Sequence, residues 1–338
     1  MEKNNITVSI VIVNYKTPQL LKACVQSIID TTKQLSYEII VVDNNSEDES
    51  EQLIVEHFPD VIWINSGYNA GFARANNMGI KVAAGTYIFL LNPDALLVDT
   101  YLLKMIKHHE ELSKTHRVGL VTSRILSSID QSLLIGTGIH FKGIDNEVGK
   151  NPFMLKFHNV FKAKQNKAKY DPYTMHYVNH EVDFVSGACA LIKRETLTDF
   201  NLFLDEDFFL YWEDVEWSYR IKKNGLKNFF FADTEIYHVN SASTGKSDHK
   251  NAQVRISEFL FYNKRYNHLK FHFLGLLMRL NYFLNAFLLK RSKNDKALEE
   301  LKFDKLLFNQ YFYLVNTQYK GKKTKVRPYL KYGEENRK

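Results

Sequence analysis

Four short apolar runs, rich in β-branched residues, recur within the first hundred positions at 8–13, 38–42, 61–64 and 86–91. Unbroken runs of this kind are typical of strands that are buried on both faces of a sheet. Between the first two runs, Leu21, Cys24, Val25 and Ile28 recur at helical spacing. The alternation of strand and helix signals predicts an α/β fold, with a mostly parallel sheet and helices on both of its faces.

Residues that favour the ends of helices also occur between the apolar runs of the first hundred positions. Thr17 can cap the first helix, with a proline at the first helical position. Ser46 and Glu49 have the spacing of a capping box for the second helix. The third helix is expected over 71–84, and Gly85 is expected to end it.

The second half of the chain is less regular. Residues 136–179 predict loops and short strands that cover one end of the sheet. The other predicted elements are two strand regions, one short helix and two long helices, over 181–192, 229–237, 214–223, 256–289 and 297–315.

Composition narrows the class of protein without choosing a function. The chain has 338 residues, of which 45% are hydrophobic and 25% charged, and these values exclude disordered and collagen-like chains. Cys24 and Cys189 are the two cysteines, too few for a disulfide framework, which fits a reducing cytoplasm. No basic region followed by an apolar stretch opens the sequence, and no uninterrupted apolar run is long enough to span a bilayer. We therefore expect neither a signal peptide nor a spanning helix.

The net charge of +7 is distributed unevenly. From Lys246 to the last residue there are 21 basic and 8 acidic residues, whereas the rest of the chain holds 24 basic and 30 acidic ones. Such an asymmetry predicts that the C-terminal part meets an anionic surface, either a membrane or a nucleic acid.

Candidate chemistry lies where the predicted strands end, because ligands bind beyond the carboxyl ends of parallel strands. The glycine-rich dinucleotide motif and the Walker motif are absent after the first strand, which argues against a dehydrogenase. The fourth strand is followed by Asn92 and Asp94, whose side chains point the same way on an extended backbone. Their oxygens suit a hard divalent cation, although an Asn-Pro-Asp turn without a ligand fits the same residues.

Three further features carry alternatives of the same kind. Arg74, at the start of the third predicted helix, suits an anionic group or is simply solvated. Asp214 lies beside an aromatic run, where desolvation would favour a general base, but an acid in a first helical turn is also explained by the helix dipole. His238 is a metal ligand or an ordinary histidine at the edge of a sheet.

Seven motifs, taken in order, resemble those of the inverting family 2 glycosyltransferases, and most closely the bacterial rhamnosyltransferase-like branch. They run from about residue 8 to residue 244 and read VSIVIVNYKT, EIIVVDNNSEDES, NAGFARANNMGI, GTYIFLLNPDA, FVSGACALIKRE, FLDEDFFLYWEDVEWSYRIKKNG and ADTEIYHVNSAST. The resemblance implies a GT-A fold, a nucleotide-sugar donor and a divalent metal, Mg²⁺ or Mn²⁺.

The resemblance also implies roles for residues that match the family motifs. The implied general base is Asp214, and the implied metal ligands are Asp94 and His238. The donor-binding residues would be Asn14, Tyr15, Thr17, Asp43, Asn44, Asn69, Gly71, Arg74, Asn76 and Asn92. Gly187, Trp212 and Glu213 would border the acceptor.

Three positions depart from the family pattern. Asn92 replaces the first Asp of the usual Asp-x-Asp pair, which lowers the negative charge at the implied metal site. Ser241 stands where a Gly is common, and Glu216 stands where a second Asp is common.

The resemblance implies transfer of a sugar, with inversion, from dTDP-rhamnose or a UDP-hexose to a glycan or lipid-linked acceptor, in bacterial surface polysaccharide synthesis. It divides the chain into a catalytic domain, 1–245, and a basic helical region, 246–338. The donor half of the catalytic domain would be about 1–98 and the acceptor half about 99–245. An alternative is a non-catalytic protein that binds nucleotide sugars or glycans on a transferase scaffold.

The C-terminal region carries its own prediction. On the first long helix, the segment 271–289 is apolar except for His272, Gly275, Arg279, Asn281 and Asn285, and lysines and arginines flank it. Positions 272, 275, 279 and 282 share one narrow stripe of this helix. A helix of this kind would lie on the anionic inner face of the membrane, or it would pack in the protein or in a homodimer. The basic run 320–327 is the best support for a rival reading, a nucleic-acid-binding protein, but such runs are usually solvated, and no nucleic-acid partner is expected.

Overall fold

The structure is a computed structural model that describes residues 6–128, 132–134, 137–138, 141–151, 154, 175–239 and 247–319. The chain forms two compact units. The first consists of Met1–Phe141 with Pro172–Thr244, and the second of Lys142–Asp171 with Gly245–Lys338. Residues 142–171 thus group with the C-terminal helices, whereas the division drawn from the sequence places them in the catalytic domain.

The first unit alternates strands and helices along the chain. Its strands are β1 Val8–Asn14, β2 Tyr37–Asp43, β3 Ile62–Asn65, β4 Tyr87–Leu91, β5 Ala95–Leu97, β6 Val118–Ser127, β7 Leu133–Leu134, β8 Thr137–Gly138, β9 His180–Val182, β10 Phe184–Val185, β11 Cys189–Lys193 and β12 Lys227–His238. Its helices are α1 Pro18–Thr31, α2 Ser50–His57, α3 Gly71–Val82, α4 Tyr101–Ser113, α6 Arg194–Asp199 and α7 Glu213–Lys223. The helix between α4 and α6, α5 Ile144–Gly149, belongs to the second unit.

Most of the strands form one sheet in the order β3-β2-β1-β4-β11-β6-β12-β5, with β7 beside β6 and β9 beside β12. The first four of these strands run parallel, as do β6 and β12, whereas β11 and β5 are antiparallel to their neighbours. Helices flank the sheet, which confirms the predicted α/β architecture. In the parallel part, Asn14 pairs in register with Asp43, and Asp43 with Asn65, so their carboxyl ends meet at one edge.

Apolar layers on the two faces hold the sheet in place. Every residue of β1 is buried, and its side chains alternate between the two layers. One layer receives Leu21 and Val25 from α1, and the other receives Trp217 and Ile221 from α7. Each large side chain that is fully buried in this way stabilises the domain by about 1.5–3 kcal/mol.

Three local predictions are wrong. Thr17 directly precedes α1 but its side chain does not cap the helix, because its hydroxyl donates to Asn14 Oδ1 at 2.9 Å. The capping box of Ser46 and Glu49 does not form, because α2 begins only at Ser50 and the Ser46 hydroxyl donates instead to Asp43 Oδ1 at 2.6 Å. The helix expected over 256–289 is broken, since one helix ends at Arg265 and the next begins at His268. The Asn267 side chain caps the second of these helices by accepting a hydrogen bond from Lys270 N.

The second unit is helical where it is described. It consists of α5 Ile144–Gly149, α8 Ser247–Arg265, α9 His268–Arg291 and α10 Asp295–Tyr319. Among the described residues, α9 alone is long and apolar enough to cross a membrane by length and composition, a test that a core helix also passes. Ser241, most of 136–179 and the basic run 320–327 lie outside the described residues.

Candidate active site

A network of buried polar groups joins the ends of β1 and β2. Asn14 Nδ2 donates to Asp43 Oδ1 at 2.7 Å, and Asn14 Oδ1 accepts from Thr17 Oγ1 at 2.9 Å. Ser46 closes the network by donating to Asp43 through both its backbone N–H and its hydroxyl. Asn14 and Asp43 are almost fully buried, so these bonds hold the carboxylate in one orientation at the edge of the sheet.

The next polar group ties β2 to the start of α3. Asn44 Nδ2 donates to Gly71 O at 3.2 Å, and Asn44 Oδ1 accepts from Ala70 N at 3.2 Å. Asn69 Oδ1 accepts from Gly71 N, which completes the turn into the helix. The Asn44 side chain therefore holds the backbone of the loop that precedes α3 through two hydrogen bonds.

Gly71 is required by the space available and by the backbone. Its φ is +71°, and a Cβ atom there would lie 2.4 Å from Phe209 O. The same carbonyl accepts a hydrogen bond from Phe72 N at 2.7 Å. The first turn of α3 therefore lies directly against the aromatic segment that precedes α7.

Two polar residues of α3 reach other parts of that segment. Arg74 Nε donates to Glu206 O at 3.1 Å, and Asn77 Nδ2 donates to Leu204 O at 2.9 Å. Asn76 instead donates to Phe72 O within its own helix. Asn77 and Ser46 are not among the predicted site residues, although Asn77 lies inside the NAGFARANNMGI motif and Ser46 inside EIIVVDNNSEDES.

Asn92, Asp94 and His238 meet where β4 leads into β5. His238 Nε2 lies 3.1 Å from Asp94 Oδ1 and 3.2 Å from Asn92 Nδ2. The antiparallel pairing of β5 with β12 sets this arrangement, because it places His238 opposite Ala95 and lets Val239 N donate to Asp94 O. Asp94 is buried, and the two polar neighbours lie beside it.

These three side chains fit a divalent cation in part. Two ligand atoms that share a cation at about 2.0–2.3 Å lie roughly 3 Å apart, as Asp94 Oδ1 and His238 Nε2 do. No group of three or more His, Cys, Asp or Glu side chains converges on a point in the part of the chain that the structure describes. A cation held here would therefore need further ligands besides these side chains.

Asp214 lies at the start of α7 and is held by backbone N–H groups. Its Oδ2 accepts from Gly187 N at 3.1 Å, and its Oδ1 accepts from Val215 N at 2.8 Å. Burial nevertheless raises the pKa of the Asp214 carboxyl. A carboxylate with a raised pKa is the kind of group that accepts a proton from a hydroxyl.

Glu213, next to it, is more deeply placed. Burial and the nearby Asp214 charge raise the pKa of Glu213 well above its usual range. Its Oε2 atom is buried and makes no hydrogen bond to any described residue. Tyr211 and Trp212, which precede Glu213, have φ values of 68° and 66°, a conformation that costs bulky residues about 1–3 kcal/mol each and that is characteristic of functional sites.

Backbone contacts connect the Asp214 group with the Asp94 group. Gly187, which donates to Asp214, is followed by Ala188, whose carbonyl accepts from Asn92 N at 3.0 Å. An added Cβ at Gly187 would lie 2.8 Å from the Phe72 ring, so α3 packs against the same segment. Gly187 and Ala188 therefore join three of the sequence-predicted groups at one edge of the sheet.

The predicted residues thus fall into adjoining groups at the carboxyl ends of β1, β2 and β4. Tyr15 is half-buried, with Lys16 Nζ 5.5 Å from its ring centroid, and no contact described here joins it to the other predicted residues. Cys24 lies beneath the site, where Asn92 O accepts from its Sγ at 3.6 Å and burial raises the pKa of its thiol.

Several named proteins are similar to this chain in sequence. Relatives include a hexosyltransferase of low-salt glycan biosynthesis from Haloferax volcanii, which is 25% identical over 64% of this chain and 62% of its own. The rhamnosyltransferase WbbL of Escherichia coli is 28% identical over 56% of this chain and 68% of its own. An N-acetylglucosaminyl-diphospho-decaprenol L-rhamnosyltransferase of Mycobacterium tuberculosis is 23% identical over 62% and 68%, respectively. The alignment therefore spans less than two thirds of the haloarchaeal relative.

A solved structure supports the fold independently. The crystal structure of GalNAc-T7 with UDP, GalNAc and Mn²⁺ superposes with a TM-score of 0.53 at 17% identity, over 78% of this chain and 51% of that one. This likeness confirms the GT-A fold. Residues 9–200, more than half of the chain, match the family model described as glycosyl transferase family 2. The chain therefore belongs to glycosyl transferase family 2.

Proposed function

We propose that this protein transfers a sugar from a nucleotide-sugar donor to an acceptor hydroxyl, with inversion at the anomeric carbon. One observation carries the proposal. The Asp94–His238 pair and the Asp214 carboxylate are attached to two neighbouring backbone segments, which the hydrogen bond from Asn92 N to Ala188 O joins. A group that holds the leaving diphosphate and a group that accepts a proton are both needed for a single displacement.

The donor side would use the residues at the ends of β1 and β2. Asp43, held by Asn14 and Ser46, presents a fixed carboxylate that suits the N–H edge of a nucleobase. Asn44 and Asn69 shape the loop before α3, and the first turn of that helix suits the diphosphate. Thr17 and Tyr15 would border the ribose, and Arg74 and Asn76 would lie on the diphosphate side.

A divalent metal, Mg²⁺ or Mn²⁺, is part of the proposal. Asp94 and His238 would hold it, with Asn92 beside them. When bound, such an ion neutralises charge on the departing diphosphate. Asn92 in place of an acid lowers the charge of the ligand set, so we infer that the diphosphate is needed to complete a tight site.

The acceptor side would use α7 and the segment before it. Asp214 takes the proton from the acceptor hydroxyl, whose oxygen then attacks the anomeric carbon opposite the leaving diphosphate. The bond to the diphosphate oxygen breaks as the new glycosidic bond forms, and that single displacement inverts the configuration. The Gly187 N–H donates to Asp214 Oδ2 and so holds the general base in place, and Trp212 and Glu213 border the acceptor.

The names of the relatives support the substrate classes. They include rhamnosyltransferases and a hexosyltransferase, which favours dTDP-rhamnose or a UDP-hexose as donor. One relative is named for a diphospho-decaprenol acceptor, which favours a glycan or lipid-linked acceptor in surface polysaccharide synthesis. We infer a cytoplasmic enzyme whose catalytic domain covers 1–245, with the donor half about 1–98 and the acceptor half about 99–245.

A panel of nucleotide sugars tests the proposal. Binding of dTDP-rhamnose, UDP-glucose and related donors is measured by calorimetry, with Mn²⁺, with Mg²⁺ and with a chelator, and slow donor hydrolysis is followed in the same samples. We expect one donor to bind and to be hydrolysed only with metal. Tight binding without hydrolysis or transfer, with or without metal, would favour the alternative of a non-catalytic sugar-binding protein. Failure of every donor to bind would refute the transferase and would leave only the glycan-binding form of the alternative.

A further inference from the structure

The helix α9 presents an apolar stripe to solvent. Leu269 is 80% exposed, Leu276 65% and Phe283 69%, although side chains of this kind are usually buried. The full stripe comprises Leu269, Phe273, Leu276, Leu280, Phe283 and Phe287. At 3.6 residues per turn these six positions share an arc of about 80°, so they form one continuous face along the helix.

The opposite side of α9 is packed in the protein and contains the polar groups. Asn281 Nδ2 donates to Glu147 O at 2.7 Å, and Asn285 Nδ2 donates to Lys150 O at 3.3 Å. The polar stripe predicted from the sequence at 272, 275, 279 and 282 turns toward α10, where a Cβ at Gly275 would lie 2.7 Å from the Phe312 ring. The buried side also contains Phe271, Leu274, Leu277 and Met278, so α9 is apolar on its exposed side as well as its buried side. An ordinary surface helix exposes a polar face instead.

Positive charge borders the exposed stripe. Lys270, Arg279, Lys290 and Arg291 flank it, and α9 contains no acidic residue. Arg279 also lies over the Tyr313 ring at 5.0 Å, so its charge is held at the edge of the stripe. An apolar face with a wholly basic border matches a layer whose interior is apolar and whose surface is anionic.

We propose that α9 lies in the surface of an anionic membrane, with Phe273, Leu276 and Phe283 inserted between lipid headgroups. A second copy of the chain fits this face less well, because two such helices would bring basic borders together with no acid on either to oppose them. A spanning arrangement is disfavoured, because α10 packs alongside α9 and carries Asp295, Glu299, Glu300 and Asp304. Resting on the proposed function, this contact would bring the enzyme to lipid-linked acceptors.

Flotation of the full chain with vesicles tests the surface. We expect the protein to float with vesicles of phosphatidylcholine and phosphatidylglycerol, weakly with phosphatidylcholine alone, and less in high salt. The double variant Leu276→Ser, Phe283→Ser should lower the bound fraction about tenfold or more, since each substitution removes a large inserted side chain. Val55→Ser, on α2, is the control for loss of an exposed apolar residue and should bind as the unmodified chain does.

Charge is tested separately from apolar contact. Lys290→Glu with Arg291→Glu should lower binding to the anionic vesicles about tenfold or more, and Lys33→Glu, an exposed lysine elsewhere, should not. Circular dichroism confirms that each variant is folded. Donor hydrolysis without lipid should be unchanged in all of them, which separates a failure of this proposal from a failure of the proposed function.

Two results would overturn the proposal. One is the absence of flotation with anionic vesicles while the protein remains folded. The other is a concentration-dependent dimer in sedimentation that Leu276→Ser, Phe283→Ser dissociates, without any vesicle binding, which would assign the stripe to a second copy.

Discussion

His238 Nε2 lies 3.1 Å from Asp94 Oδ1, although the two residues are far apart along the chain. His238 is the last residue of β12, and Asp94 directly precedes β5. The pairing of β5 with β12 brings them together and places Asn92 beside them. The two atoms are close enough to share a cation, and the arrangement makes metal dependence testable.

Replacement of His238 by Ala should weaken Mn²⁺-dependent donor binding at least about tenfold, because Asp94 would then be the one remaining protein ligand proposed for the ion. Calorimetry with and without Mn²⁺ measures the difference. His57→Ala, which removes an exposed histidine from α2, serves as the control and should change nothing. Equal Mn²⁺ dependence in His238→Ala and the unmodified protein would contradict the metal site.

Asp214→Asn should reduce turnover by roughly 10²–10⁴-fold while donor affinity survives, because it removes the proton acceptor but keeps the shape of the side chain. Steady-state transfer and donor calorimetry are compared on the same preparation. Asp60→Asn, at an exposed position, is the matched control. Near-normal turnover in Asp214→Asn would assign the base elsewhere.

Glu213→Gln should make the protein more stable at neutral pH than the unmodified chain. A carboxyl whose pKa is raised by folding binds more protons folded than unfolded, so its contribution to stability is lost as pH rises from about 4.5 toward the raised value. The gain in the variant should therefore grow with pH across this window. Urea titrations at several pH values measure the free energy of unfolding of both proteins. If the difference between the two free energies does not change with pH, the pKa of Glu213 is not raised by folding.

Gly71→Ala should lower the stability of the protein and its affinity for the donor far more than Gly67→Ala does. Both glycines have positive φ, +71° and +75°, so both substitutions carry the same backbone strain of about 1 kcal/mol. At Gly67 nothing lies within 4 Å of an added Cβ, whereas at Gly71 Phe209 O lies 2.4 Å away. Thermal unfolding and donor binding are measured for both variants, and the difference between them reports the close approach of Phe209 O to residue 71. Equal losses in the two variants would show that this close approach has no effect.

Ser46→Ala should destabilise the protein by about 1–3 kcal/mol, because it removes the hydroxyl that Asp43 and Lys16 N both use. Donor affinity should fall as well, since the Asp43 carboxylate loses one of its restraints. Ser292→Ala removes a hydroxyl that donates to Leu289 O within one helix turn, and it is the control for urea unfolding and calorimetry. Unaltered donor affinity in Ser46→Ala would remove Asp43 from the donor site.

The local pattern of apolar residues predicted strands and helices best in segments that are buried in the core. The run at 8–13 became a fully buried strand, Val8–Asn14, because nearly every side chain in it is apolar and none suits an exposed helix. The helix start at Pro18 followed from proline's fixed φ. Prediction failed at Ser46, where a hydroxyl suited to capping a helix is used instead by a carboxylate that only the folded sheet brings near.

The sequence by itself determined the order of strands and helices from β1 to β4, the apolar residues of those strands and the motifs that identify the family, because these depend on neighbours along the chain. The helix α4 and the strand β6, which follow, were not predicted. Tertiary structure alone decided that His238 meets Asp94, that Gly187 holds Asp214, and that the apolar rather than the polar stripe of α9 faces outward. Those outcomes depend on strand pairing and helix packing between distant segments, and a pattern of nearest neighbours does not specify which of two faces a helix buries.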